Sequence, residues 1–158
     1  MRSHFWYSPS IQLAFQNGGG IHAPEHHSDS PEAIYAHTPG LKVVMPSSPY
    51  DAKGLLSSAI RDPDPVIFFE PKRIYRAFRE EVPEDEYVVP IGEARVVREG
   101  DEVTMVSWGA SVIQCMNAIE RADRSIELID LELDNNDFST WGLGQPYSPG
   151  APHAPPSG

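Results

Sequence analysis

The sequence predicts an α/β fold built on a parallel sheet, and three observations support this prediction. Residues 66–69 form a continuous apolar run, which is typical of a strand covered on both faces. An amphipathic helix is predicted just before this run, at residues 48–60. A second strand–helix–strand pattern occupies residues 103–131. Because strand and helix patterns alternate, we expect a sheet layered with helices.

The first elements follow from alternation and from chain-breaking residues. Apolar side chains alternate over residues 11–16, which predicts a short strand, and the glycine run at 18–20 ends it. After a loop, Ser30 is a good N-cap for a short helix at residues 31–37. Residues 42–45 then predict a buried strand.

The helix at residues 48–60 has the clearest signals. Ser48 is the predicted N-cap, and Pro49 suits the first helical position. An apolar stripe is formed by Ala52, Leu55, Leu56, Ala59 and Ile60. The Asp-Pro repeat at residues 62–65 ends the helix, and the apolar strand follows.

A charged, proline-bearing segment separates the two halves. Residues 73–86 are interpreted as an exposed linker. Beyond it, residues 94–98 form a weak strand pattern and residues 103–108 a stronger one. A helix after Gly109 and a last strand at residues 126–131 complete the second unit. The apolar face of that helix carries Val112, Cys115, Met116 and Ile119.

We divide the chain into residues 1–85, 86–132 and 133–158. The last segment has closely spaced proline and glycine and few apolar side chains, so we expect it to be disordered.

The composition excludes several classes of partner. The formal charge of −11, from 23 acidic and 12 basic residues, argues against nucleic acids and anionic membranes. The chain contains no run of about 18 apolar residues, so no membrane span is predicted. The N-terminus lacks the layout of a signal peptide.

Cys115 is the single cysteine, which fits a reducing cytoplasm. The acidity is compatible with a salt-rich cytoplasm or simply with a soluble acidic surface.

The histidines before the predicted short helix are the first candidate site. His22, His26 and His27 lie in the glycine-bearing loop, and an imidazole titrates near neutral pH. The helix start that follows suits an anionic ligand. From the residues alone, a solvated loop histidine is the simpler interpretation. A zinc site is disfavoured because no cysteine or second fixed pair accompanies these histidines.

The end of the second predicted helix is the other candidate site. Ala59 offers a carbonyl oxygen near the helix C-terminus, and Asp62 and Asp64 add carboxylates. Oxygen ligands of this kind suit a hard cation. An ordinary Asp-Pro turn explains the same residues equally well.

Several short motifs resemble, in their collinear order, the beta subunit of the thiamine diphosphate-dependent 2-oxo acid dehydrogenases. They are His27-Ser28, residues 30–33, residues 37–42, residues 53–56, Phe68-Phe69-Glu70-Pro71-Lys72 and Trp108-Gly109. The resemblance covers residues 8–131. It favours the branched-chain (2-oxoisovalerate) member, with the pyruvate dehydrogenase beta subunit as the close alternative.

This resemblance implies a fold and an activity. The fold is a transketolase-type pyrimidine-binding domain fragment, followed by the start of a transketolase C-terminal-like domain. The activity is an oxidoreductase reaction, in which a 2-oxo acid is oxidatively decarboxylated and the acyl group passes to a lipoyl acyltransferase. The implied partners are an alpha subunit and a second beta subunit in a heterotetramer, and the acyltransferase core.

The resemblance also implies roles for individual residues. The histidine at the position of His27 faces the cofactor and substrate, and residues at the positions of Ala59, Asp62 and Asp64 hold a structural potassium ion. The alpha subunit holds the diphosphate and magnesium. The beta-subunit glutamate that activates the cofactor lies in an earlier segment, so the isolated fragment is expected to be inactive.

The sequence departs from the family pattern at several points. Asp29 stands where glutamine or glutamate is common, and Asp64 where asparagine is frequent. Residues 1–7 and those after Leu131 do not resemble the family. A truncated or vestigial fragment with only an assembly role is therefore the alternative interpretation.

Overall fold

Two three-stranded sheets organise the chain in the computed structural model, which describes residues 12–19 and 28–131. The elements in chain order are β1 (Gln12–Asn17), α1 (Glu32–Ala36), β2 (Lys42–Val44), α2 (Pro49–Arg61), β3 (Val66–Pro71), a 3₁₀ turn (Lys72–Ile74), β4 (Arg95–Arg98), β5 (Val103–Ser107), α3 (Ala110–Ile119) and β6 (Ile126–Asp130). The first sheet has the order β1-β3-β2 and is parallel throughout. The predicted α/β class with a parallel sheet is confirmed.

Strand β3 is the centre of the first sheet and is buried on both faces. Val66, Ile67, Phe68 and Phe69 are each at most 4 % exposed. Ile67 and Phe69 pack with Val43, Met45 and partly buried Tyr35, Leu41 and Trp108. Val66 and Phe68 pack on the other face with Val44, Leu55, Ala59 and partly buried Val89 and Ile91. The continuous apolar run at residues 66–69 is therefore a strand covered on both faces, as predicted.

Helix α2 begins as predicted but buries a narrower face. Ser48 is the N-cap, and its Oγ accepts a hydrogen bond from the Asp51 N–H at 3.1 Å. Leu55 and Ala59 are fully buried, whereas Leu56 is 41 % and Ile60 is 60 % exposed. The predicted five-residue stripe is thus wrong at Leu56 and Ile60, because the buried face runs along Asp51, Leu55 and Ala59.

The segment after the 3₁₀ turn is largely exposed, as predicted, yet it is fastened to α2. We call residues 80–91 the strap. Lys53 Nζ donates hydrogen bonds to the carbonyl oxygens of Glu84 and Asp85 at 3.1 and 2.9 Å. The Tyr87 ring stacks on Tyr50 with centroids 4.5 Å apart. Gly54 makes this approach possible, since a Cβ there would overlap the side chain of Val89.

The second sheet has the order β4-β6-β5, with β6 parallel to β5 and antiparallel to β4. Helix α3 covers one face, where Val112 and Ile119 pack against Ile126 and Leu128. Cys115 is half-buried at the edge of this core, in agreement with a packing role. The weak strand pattern gave no orientation for β4, which lies antiparallel with a bulge before Arg98.

Some predictions fall on residues that the structure does not describe. These are the beginning of the first strand at Ile11, the loop histidines before Ser28, and the disorder of residues 133–158. They stay predictions. No helix in the described part of the chain is long and apolar enough to cross a membrane.

Candidate functional site

A cavity of about 240 Å³ lies between the two sheets, at the carboxyl ends of their parallel strands. Open α/β sheets bind ligands at such an edge. The first sheet and α1 contribute Asn17, Gly18, Gly19, Ser30, Glu32, Met45, Pro71 and Arg73. The second unit contributes Trp108, Ala110, Ser111 and Gln114.

The wall on the side of β1 is tied to the start of α1. Asn17 is 2 % exposed, and its Nδ2 donates to Glu32 Oε2 at 3.0 Å. The Gly18 N–H donates to the Asp29 carbonyl oxygen at 3.0 Å, with Gly18 at φ +99°. A positive φ of this kind suits glycine. Gly18 therefore joins the end of β1 to the segment before α1.

The start of α1 differs from the prediction. Pro31, not Ser30, is the N-cap, and it makes no side-chain capping bond. The helix has five residues, and the Glu32 carboxylate occupies its first turn. A carboxylate there already complements the helix dipole. The predicted anion site at this helix start is not supported, whereas Ser30 does line the cavity.

The opposite wall is the turn between β5 and α3. Gly109 has φ +53°, and a Cβ at this position would overlap the side chain of Met45. Only glycine therefore allows the two units to approach this closely. With its amide oxygen facing Arg73, Gln114 accepts hydrogen bonds from both terminal guanidinium nitrogens, at 2.5 and 3.3 Å. Among the residues that the structure describes, the charged ones in the lining are Arg73 and Glu32.

The predicted catalytic histidine, His27, lies outside the described residues, as do His22 and His26. Ser28, the next residue along the chain, is the first one described after the gap. His37 is described and forms the C-cap of α1, where its N–H donates to the Ala33 carbonyl oxygen at 3.2 Å. The helix end expected at His37 is confirmed, and a role for its side chain stays a prediction.

The second candidate site contains an ammonium group. Lys42 Nζ lies 2.8 Å from Asp62 Oδ2 and 3.1 Å from Asp64 Oδ2. Burial alone would lower the pKa of Lys42, but its hydrogen bonds to Asp62 and Asp64 and their charges outweigh burial and raise it. Both carboxylates thus already face a cation supplied by the chain.

The backbone at this site forms a turn. The Asp62 N–H donates to the Ala59 carbonyl oxygen at 3.3 Å, and the Asp64 N–H donates to Asp62 Oδ1 at 2.9 Å. Among the described residues, no group of three or more His, Cys, Asp or Glu side chains is arranged to hold a metal. Asp62 and Asp64 therefore serve the turn and the ion pair with Lys42 in this structure.

The Glu70-Pro71-Lys72 segment, part of one of the family motifs, lies at the end of β3 and the start of the 3₁₀ turn. The Tyr75 hydroxyl donates to Glu70, and burial together with this carboxylate raises the pKa of Tyr75. Lys72 Nζ donates to Gln16 Oε1 at 2.9 Å. These groups are satisfied within the chain, while Pro71 lines the cavity.

Sequence reasoning missed most of the cavity lining. Asn17 and Arg73 were not singled out, and Glu32 was named only within a family motif, although each lies near the end of a predicted strand or the start of a helix. That position along the elements is the signal that could have found them.

Known proteins resemble this chain in sequence and in fold. Residues 8–78 match the family model of the transketolase pyrimidine-binding domain. The pyruvate dehydrogenase E1 component subunit beta of Mycoplasma genitalium is 55 % identical over 133 residues, which is 82 % of this chain and 41 % of that protein. The 2-oxoisovalerate dehydrogenase subunit beta of Bacillus subtilis is 51 % identical with the same coverage. The chain thus spans about two fifths of the length of these relatives.

A solved structure, titled split gene transketolase, inactive beta4 tetramer, has the same fold. Its TM-score is 0.61 at 18 % identity, over 83 % of this chain and 43 % of that one. At this level of identity the likeness concerns the fold alone.

Proposed function

Since residues 8–78 belong to the transketolase pyrimidine-binding family, and the chain is homologous to part of the beta subunits of 2-oxo acid dehydrogenases, we propose that it forms one wall of a thiamine diphosphate-dependent active site. The observation that carries this proposal is the identity of 51–55 % over 133 residues to two such beta subunits. The proposed reaction is oxidative decarboxylation of a 2-oxo acid, followed by transfer of the acyl group to a lipoyl acyltransferase.

The lining of the cavity is suited to form part of such an active site. Thiamine diphosphate, when bound, supplies the electron sink that decarboxylation of a 2-oxo acid requires. Arg73 offers a guanidinium to a substrate carboxylate. Trp108, Met45 and Pro71 give apolar walls that exclude water. We assign the diphosphate and magnesium to an alpha subunit.

We propose His27 as the residue that binds the substrate carboxylate and assists proton transfer. It directly precedes Ser28, and Ser30 lines the cavity. An imidazole near neutral pKa is suited to give or take a proton at this step.

The substrate class is proposed as branched-chain 2-oxo acids. Similarity to the 2-oxoisovalerate dehydrogenase subunit supports it, and similarity to the pyruvate dehydrogenase subunit supports pyruvate equally. A direct comparison of 2-oxoisovalerate and pyruvate turnover decides between them.

A graft tests the proposal. Residues 8–131 replace the matching segment of the B. subtilis 2-oxoisovalerate dehydrogenase subunit beta, which is produced together with an alpha subunit. We expect thiamine diphosphate-dependent turnover of a 2-oxo acid, and none from the 158-residue chain alone. A graft that co-purifies with the alpha subunit but has no turnover would refute the catalytic role and leave the assembly role.

The same graft tests His27. His27→Ala should lower turnover by roughly 100-fold or more, the scale of a positioned acid–base group. The matched control, His22→Ala in the same loop, should do little. Equal effects of the two substitutions would contradict the assignment.

We further propose that a potassium ion binds at the end of α2, with the Ala59 carbonyl oxygen and side-chain oxygens of Asp62 and Asp64 as ligands. The carbonyl groups at this helix end support it, while the carboxylates are already engaged by Lys42. Potassium should then raise the thermal midpoint of the chain relative to tetramethylammonium at equal ionic strength. Equal midpoints in the two salts would exclude the ion.

The proposed assembly and setting follow from the same relationship. Partners would be the alpha subunit, a second beta subunit in a heterotetramer and the acyltransferase core. Within the beta subunit, residues 1–85 would form the back half of the pyrimidine-binding domain. Residues 86–132 would form the start of the C-terminal domain. We place the protein in the cytoplasm, which the single cysteine supports.

A further inference from the structure

A polar cluster with two buried carboxylates joins the two sheets next to the cavity. Asp51, in the first turn of α2, is 2 % exposed, and Asp130, the last residue of β6, is fully buried. The Arg95 guanidinium, on β4, lies between them, with Nη2 at 2.8 Å from Asp51 Oδ2 and 3.4 Å from Asp130 Oδ2. We call these three residues with Ser47 the junction cluster.

Ser47 connects the two carboxylates directly. Its Oγ is hydrogen-bonded to Asp130 and lies 3.4 Å from Asp51 Oδ2. Ser48 holds the same Asp51 oxygen through a hydroxyl at 2.6 Å. Buried carboxylates are tolerated when hydrogen bonds and a countercharge compensate their lost hydration. In this cluster, Ser47 of the first unit compensates Asp130 of the second, and Arg95 of the second compensates Asp51 of the first.

The junction cluster is continuous with the cavity wall. Asp130 lies beside Ser107 in the parallel register of β5 and β6, and Ser107 directly precedes Trp108. The Leu131 N–H also donates to the Ser107 carbonyl oxygen at 2.9 Å. On the other side, Ser47 lies two residues after Met45, whose side chain faces Gly109. The cluster therefore contacts the chain on both sides of the Met45–Gly109 contact, through Ser47 on one side and Asp130 on the other.

We propose that Arg95 is a positioning residue: its shared contact with Asp51 and Asp130 holds the second sheet against the first and sets the opening of the cavity. The inference does not depend on which ligand the cavity takes. Its physical basis is that two buried carboxylates from different units remain close together only while a cation lies between them.

The test uses the full chain and the variant Arg95→Met, which keeps an aliphatic side chain and removes the charge. The urea midpoint should fall by roughly 1 M or more, because the half-exposed Arg95 guanidinium is the countercharge of two buried carboxylates. The double variant Arg95→Met/Asp130→Asn should recover about half of this loss, because it removes one of the two opposed carboxylates. The control is Arg124→Met, which breaks an exposed pair with Glu102 and should leave the midpoint unchanged.

The pH dependence separates an electrostatic role from simple packing. In Arg95→Met, Asp51 and Asp130 face each other without the guanidinium, and their like charges repel each other while both are ionised. Acidification from neutral pH weakens this repulsion, so the variant should regain stability relative to the parent as the pH falls. Tyr87 of the strap stays neutral during this acidification. Burial, together with the nearby Tyr50, Asp51 and Glu80, raises its pKa.

Trp108 reports on the cavity itself. In a Trp6→Phe/Trp141→Phe background, acrylamide should quench Trp108 more strongly in Arg95→Met than in the parent, and the double variant should reverse the change. The inference is overturned if quenching is unaltered, or if Asp130→Asn and acidification give no recovery. If Arg95→Met does not fold, we expect the double variant to fold. If neither variant folds at neutral or at lower pH, the proposal is also overturned.

Discussion

The two sheets of this chain are covered to different extents. In the first sheet, both faces of β3 are packed, and Val66 to Phe69 are all buried. In the second, α3 covers one face, while Val96, Ile129 and Val106 lie side by side on the other. Val96 is 48 % and Val106 is 40 % exposed there.

This difference explains why the central strands look different in sequence. Double coverage permits the unbroken apolar run of β3, whereas β6 alternates in burial between Ile126, Leu128 and Asp130 on one face and half-buried residues on the other. Free energy from apolar burial is therefore concentrated in the first sheet. Four predictions test this comparison.

The largest effect is expected from a core truncation in the first sheet. Phe69→Ala should lower the free energy of unfolding by about 3–5 kcal/mol, because it empties a fully buried site. Val106→Ala, on the open face of the second sheet, should cost less than about 1 kcal/mol. Urea unfolding followed by circular dichroism measures both. Similar losses would mean that the open face is covered in solution.

A smaller effect is expected where the strap crosses α2. Alanine in a helix is favoured over glycine by about 1 kcal/mol, yet Gly54→Ala should destabilise by about 1–3 kcal/mol, because the new Cβ would displace Val89 and Tyr87. Ser57→Ala on the same helix is the control and should be nearly neutral. If Gly54→Ala is stabilising, the strap is not packed on α2.

Amide hydrogen exchange compares the two central strands within one molecule. Residues 66–69 should exchange at least about tenfold more slowly than residues 126–130, since both faces of β3 are covered. Residues 135–158 should exchange at near random-coil rates, because their few apolar side chains cannot offset the ordering entropy. Protection through Trp141 would show that the tail packs on the chain.

The smallest effect concerns Lys42, which links the start of β2 to the residues after α2 through its ion pairs with Asp62 and Asp64. Its pKa is raised above the ordinary value of 10.5 in the fold. The stabilisation is therefore complete below that ordinary value and is lost as pH rises through the raised one. Thermal midpoints of the chain should fall in this alkaline window, and Lys42→Met should remove that part of the fall. An identical alkaline loss in both proteins would refute the assignment.

The sequence predicted local elements well where the signal was local. The Ser48 cap, the β3 run and the His37 helix end were each predictable from neighbouring residues. The α1 start was wrong by one position, because Ser30 makes no capping bond and Pro31 takes the N-cap position. For the candidate site, Ser30 and Trp108 were quoted as motif residues, but nothing local indicated that they line one cavity.

The sequence by itself determined the α/β class, the caps of α2 and the doubly covered strand, because periodicity and capping act between residues a few positions apart. The tertiary structure alone decided that Lys42 meets Asp62 and Asp64, that Gly54 admits the strap, and that Ser47 bonds Asp130, 83 positions away. These contacts depend on which strands become neighbours and how closely two units approach. Such distances arise from the packing of whole elements, which no local pattern encodes.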